Sequence, residues 1–171
     1  MPRVFLHAPQ DFRNLCAISR TLEVFGHTEC FIFDRHRLIR ERYGKYRVRE
    51  QRVVSAGAFQ KIHWNRVEDP EAFVKGYAGR VVATVPTAGA SALTRYGFAD
   101  TDVLLFGSES QGLPDSVVAA CAGAVTIASH GQTQSLNLAV ALGVVLFECE
   151  RQLTATSSDT LSETSSALPR S

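Results

Sequence analysis

Short apolar runs recur along the chain at 4–7, 29–33, 80–85, 103–106 and 124–127, rich in β-branched and aromatic residues. Between them lie stretches whose composition suits helices: 15–25, stopped at Gly26; 70–76, opening on Pro70; 116–121; and 136–151. A short segment at 61–64 reads as extended. Strand and helix patterns that alternate in this way predict an α/β domain, with a mostly parallel sheet covered by helices on both faces. No internal repeat is visible.

Two segments depart from the alternation. Residues 35–52 carry Arg35, Arg37, Arg40, Arg42, Lys45, Arg47, Arg49 and Arg52, with Tyr43 and Tyr46 interleaved. Beyond Gln152 the chain turns to Ser and Thr with few large apolar residues, and 152–171 is expected to be a disordered tail after a single domain over 1–151.

Composition narrows the class. A chain of 171 residues with 45% hydrophobic and 20% charged residues has room for one domain with a real core. The longest apolar run, 138–147, is about half of the ~20 residues needed to cross a bilayer, so a soluble protein is expected. The N-terminal residues lack the long apolar stretch of a secretory signal. Cys16, Cys30, Cys121 and Cys149 form no CxxC pair, which argues against a zinc site or a disulfide framework and for a reducing, cytoplasmic setting. The five histidines, His7, His27, His36, His63 and His130, are scattered, and no metal is expected.

Three stretches carry chemistry. In Leu104-Leu105-Phe106-Gly107-Ser108-Glu109-Ser110-Gln111-Gly112-Leu113-Pro114, an apolar strand runs into a loop with two glycines and an acid. Open α/β sheets bind ligands at that strand edge, although a plain strand-to-helix turn would look much the same. In Ser135-Leu136-Asn137-Leu138-Ala139-Val140-Ala141-Leu142-Gly143, Ser135 is placed to cap a helix and Asn137 to bond nearby backbone. The helix that follows is apolar almost all round, which suits deep burial or a subunit interface. In Asn14-Leu15-Cys16-Ala17-Ile18-Ser19-Arg20-Thr21, an Arg sits among apolar neighbours. A surface salt bridge would account for it, and so would phosphate binding.

In this order and at these separations, the three stretches resemble the signature motifs of the SpoU family of SPOUT RNA 2′-O-ribose methyltransferases, N-x-G-x-x-x-R-T, F-G-x-E-x-x-G-L and S-L-N-x-x-x-A. The resemblance implies a deep trefoil knot in the C-terminal part of the sheet, S-adenosylmethionine as methyl donor, a tRNA or rRNA substrate and a homodimer. It implies a donor site at Val85, Gly107, Ile127, Ser135 and Leu136. It gives catalytic roles to Arg20 and Asn14, with Glu109, Ser135 and Asn137 completing the site and the Arg of one subunit reaching the pocket of the other. Cys16 stands where the first motif usually has Gly, and Ile127-Ala128-Ser129 where relatives commonly have Ile-Pro-Met.

The basic stretch, at Arg35, Arg37, Arg40, Arg42, Lys45, Arg47 and Arg49, is the expected RNA contact, since cations neutralise phosphates and tyrosines stack on bases. A solvated loop would carry similar charges. Two competing functions remain. A non-catalytic member of the same fold would bind RNA or the donor without transfer, and the intact Asn14, Arg20, Glu109, Ser135 and Asn137 weigh against it. An ordinary nucleotide-binding domain would show GxGxxG after the first strand or GxxxxGK[ST], and neither occurs.

Overall fold

A computed structural model of the chain describes residues 1–39, 53–133 and 135–165. Seven strands form one parallel sheet: β1 (Arg3–His7), β2 (Glu29–Phe33), β3 (His63–Arg66), β4 (Val81–Thr84), β5 (Ser91–Ala92), β6 (Val103–Phe106) and β7 (Gly123–Thr126). Their spatial order is β3-β2-β1-β6-β4-β7-β5. Among the described residues, α1 (Phe12–Val24), α2 (Pro70–Gly76), α3 (Asp115–Ala120) and α4 (Leu138–Ser165) accompany them.

The central strands are apolar at successive positions because both faces of the sheet are covered. Val4, Leu6, Leu104 and Phe106 point into one core with Leu15, Ile18 and Leu22 of α1 and Leu142, Val145 and Leu146 of α4. Phe5, Val103 and Leu105 point to the other face, against Val74 of α2 and Val117 of α3. These strands are therefore continuous hydrophobic runs rather than alternating ones.

Helix ends follow local chemistry. Helix α1 begins three residues before the apolar pattern does, because the Asp11 side chain accepts from the Arg13 N–H at 2.8 Å and caps the first turn. It ends where Gly26 takes φ +77°, a left-handed conformation that favours glycine. Helix α4 is capped by Asn137, whose Oδ1 accepts from the N–H groups of Ala139 (2.9 Å) and Val140 (3.4 Å). The cap expected at Ser135 is thus supplied two residues later.

Helix α4 runs past Gln152 as far as Ser165, and the remainder of the expected tail, 166–171, lies outside the described residues. Leu142, Val145, Leu146 and Cys149 anchor the helix in the core. Each added residue then gains a backbone bond without a new nucleation cost, so Ser and Thr can follow. Among the described residues no helix is long and apolar enough to cross a membrane.

Candidate functional site

All seven strands run the same way, so their C-terminal ends share one edge. A cavity of about 590 Å³ opens there, beyond β4, β6 and β7. Val85, Gly107, Ile127, Ser135 and Leu136, the five positions expected to hold the donor, all line it. Pro86, Leu113, Val118, Leu138 and Ala141 add apolar wall, and Ala128 and Ser129 also line it.

The loop after β6 has a shape that only glycine permits at its first position. The Ser108 N–H donates to the Gly112 carbonyl and the Gly112 N–H donates back, each at 3.0 Å, folding the loop on itself. A Cβ on Gly107 would lie 2.3 Å from the Gly112 carbonyl carbon, and Gly112 itself takes φ +66°. This fold turns Glu109 toward the loop after β1. One carboxylate oxygen accepts from the Gln10 N–H (2.8 Å), the other from the Asp11 N–H (3.2 Å) and the Asn14 Nδ2 (2.7 Å). Asn137 Nδ2 donates in turn to Asn14 Oδ1 at 3.0 Å. Glu109, Asn14 and Asn137 thereby join three distant motifs in one chain of hydrogen bonds.

Partial burial alone would raise the Glu109 carboxyl above the usual carboxylate range. The bonds from Asn14, from its own backbone and from Gln10 and Asp11 outweigh that and hold it lower. Glu109 is therefore an anion at neutral pH and serves as an acceptor, not as a proton donor.

The structure separates the other expected residues. Glu109 and Ser135 line the cavity, while Asn14 and Asn137 are bonded to each other and do not line it. Arg20 is exposed on α1, does not line the cavity of its own chain, and makes no hydrogen bond or ion pair among the described residues. Six residues on a helix separate Asn14 and Arg20 by about 120° around the axis, so the two face different surroundings. Cys16, on α1, is fully buried in the core.

Of the expected RNA contacts, Arg35 and Arg37 are exposed in the turn after β2, at the same sheet edge. Asp34 holds that turn by accepting from the N–H groups of Leu38 (2.6 Å) and Ile39 (3.0 Å). Arg40, Arg42, Lys45, Arg47 and Arg49 lie outside the described residues. Sequence reasoning missed Thr84, Asp115 and Thr133 as lining positions, and the Gln10 and Asp11 amides as partners of Glu109. Asp115 follows the Gly-Leu-Pro directly and could have been noticed, whereas backbone amides leave no residue-type signal. Among the described residues, no group of three or more His, Cys, Asp or Glu is placed to hold a metal ion.

An open parallel sheet with a ligand-sized cavity at its C-terminal edge, walled by the segments after β4, β6 and β7, defines a group-transfer or ligand-binding α/β protein. The model of the SpoU rRNA methylase family matches residues 1–147, and the chain belongs to that family. An uncharacterised tRNA/rRNA methyltransferase of Mycobacterium tuberculosis is 35% identical over 144 residues, 83% of this chain and 42% of the relative. The chain thus spans less than half the length of such curated relatives. A solved structure concerned with 2-OH methylation of C/U34 on tRNA is 26% identical with a TM-score of 0.73, covering 91% of this chain and 97% of the other. An rRNA methyltransferase from Sinorhizobium meliloti, solved with AdoMet bound, is 28% identical with a TM-score of 0.70, covering 89% and 56%.

Proposed function

We propose that the protein transfers a methyl group from S-adenosylmethionine to a ribose 2′-hydroxyl of tRNA or rRNA in the cytoplasm, acting as a homodimer. The convergence of the loops at Gly107, Ile127 and Ser135 on one cavity is the observation that carries the reading. The cavity suits the donor: its walls are largely apolar, its volume fits a nucleoside, and the buried Thr84 hydroxyl on its lining has no partner of its own. The likeness to tRNA and rRNA methyltransferases of this family supports the substrate class, and the family's knot accords with walls drawn from 84–87 as well as from Ile127, Thr133 and Ser135.

When bound, S-adenosylmethionine supplies a sulfonium methyl to the 2′ oxygen and leaves as the neutral thioether. The chain's contribution is alignment, because an in-line displacement depends on holding the two centres together. A guanidinium offers donors and no acceptor, so Arg20 does not take the hydroxyl proton. Instead its guanidinium stabilises the oxyanion that develops on the ribose and grips the neighbouring phosphate, whose oxygen takes the hydroxyl proton.

Arg20 needs a second copy of the chain to reach a cavity. The outer face of α4 offers Val140 (51% exposed), Val144 and Phe147 (63%) at helical spacing, with Leu136 before them. Arg20 stands beside that helix: its neighbour Thr21 lies 3.7 Å from where a Cβ on Gly143 would sit. An isologous dimer through α4 would cover the stripe and bring each guanidinium to the other copy's cavity. Methyl transfer to bulk RNA by wild type, Arg20→Ala and Arg20→Lys tests the roles. The Ala variant should lose transfer by about 100-fold or more while donor affinity holds. Full turnover by the Lys variant would contradict a need for the planar fork.

A further inference from the structure

The cavity lining has an unusual charge balance. Two ionisable side chains face it, Glu109 and Asp115, both acids, and no Lys, Arg or His among the described residues lines it. The two acids are in different states. Glu109 is occupied by three N–H donors from Gln10, Asp11 and Asn14. Asp115, exposed at the first turn of α3, makes no hydrogen bond or ion pair among the described residues. Its charge is left for whatever fills the cavity.

This matters for a problem built into the proposed reaction, on which the inference rests. Donor and product differ by one methyl group and one positive charge. The product is the smaller of the two, so an apolar wall shaped for the donor cannot exclude it, and one methyl discriminates weakly in any case. Charge is the usable difference. From this we infer that Asp115 is a specificity-determining residue that biases the cavity toward the sulfonium donor and against its neutral thioether product. A carboxylate on a short helix's first turn also suits the helix dipole. That role would act on the stability of α3 and would leave the preference between two ligands untouched.

The test is calorimetric titration of the full chain with S-adenosylmethionine and, separately, S-adenosylhomocysteine, for wild type, Asp115→Asn and Asp115→Glu. The Asn variant should shift the ratio of the two affinities toward the product by roughly fivefold, the size that one screened charge a few ångströms away supplies. Asp115→Glu, which keeps the charge, should restore most of the ratio, and added salt should narrow the wild-type ratio toward that of the Asn variant. An unchanged ratio in Asp115→Asn, including an equal loss of both ligands, would overturn the inference while leaving the donor site standing. Failure of the wild type to bind either ligand would overturn both.

Discussion

Glu109 shows how one side chain can hold a site together without reacting. Its two oxygens collect donors from the loop after β1 and from Asn14, and Asn14 passes the connection on to Asn137 at the cap of α4. Glu109→Gln would set an amide N–H against the Gln10 or Asp11 N–H. The expected cost is about 1 kcal/mol in denaturant unfolding, with a larger loss of methyl transfer. The pH dependence has a definite sign. A carboxyl held below its unfolded value stabilises the fold above the unfolded pKa of ~4.3, and that stabilisation drains away as pH falls through the lowered native value. The stability gap between wild type and Glu109→Gln should therefore be full at pH 6 and close in stronger acid. A gap that widens on acidification would contradict the arrangement. Gly107→Ala is harsher, since its methyl would meet Gly112 backbone at 2.3 Å and not a movable side chain. Overpacking of this kind costs about 1–3 kcal/mol. Titration with S-adenosylmethionine should show donor affinity falling at least about tenfold, and wild-type affinity would refute the tight loop.

At the scale of elements, α4 has two jobs that its composition merges. One side fills the core through Leu142, Val145, Leu146 and Cys149, and the other leaves Val140, Val144 and Phe147 in the open. Phe147→Glu should convert the proposed dimer to a monomer by size-exclusion chromatography with light scattering. It should abolish transfer and leave donor affinity within about twofold, because the cavity walls come from one chain. A monomeric variant that still transfers would dismiss the shared site. The sequence was most legible where burial on both faces forces continuous apolar runs, as at β1 and β6, and where a helix start is plainly marked, as at Pro70. It was less so where a short strand depends on its neighbour: Ser91 and Ala92 pair only with β7 and have no pattern of their own. The extension of α4 to Ser165 was illegible for a related reason, since helix propagation from a buried segment is not a property of the residues that propagate. Among site residues, Gly107 and Glu109 were visible as types in a motif. The partners of Glu109 were not, because two of them are backbone amides brought in by the fold.

For the whole molecule, the sheet's C-terminal edge gathers the proposed donor cavity beyond β4, β6 and β7 and the basic turn after β2 on a common side. We propose a division of labour, with Arg35, Arg37 and the cations from Arg40 to Arg49 gripping RNA while the cavity holds the donor. Neutralising Arg42, Arg47 and Arg49 together should weaken RNA binding by about 10-fold or more at 150 mM salt and flatten its salt dependence, with donor affinity unchanged. Equal loss of both in parallel titrations would contradict that separation. The atom that receives the methyl group is read directly by nucleoside mass spectrometry. RNA from cells with and without the gene, digested to nucleosides, should differ by one 2′-O-methylated nucleoside that is absent from the deletion and returns with the wild-type gene but not with Arg20→Ala. A difference confined to base-methylated nucleosides, or no difference in any methylated species, would contradict the account.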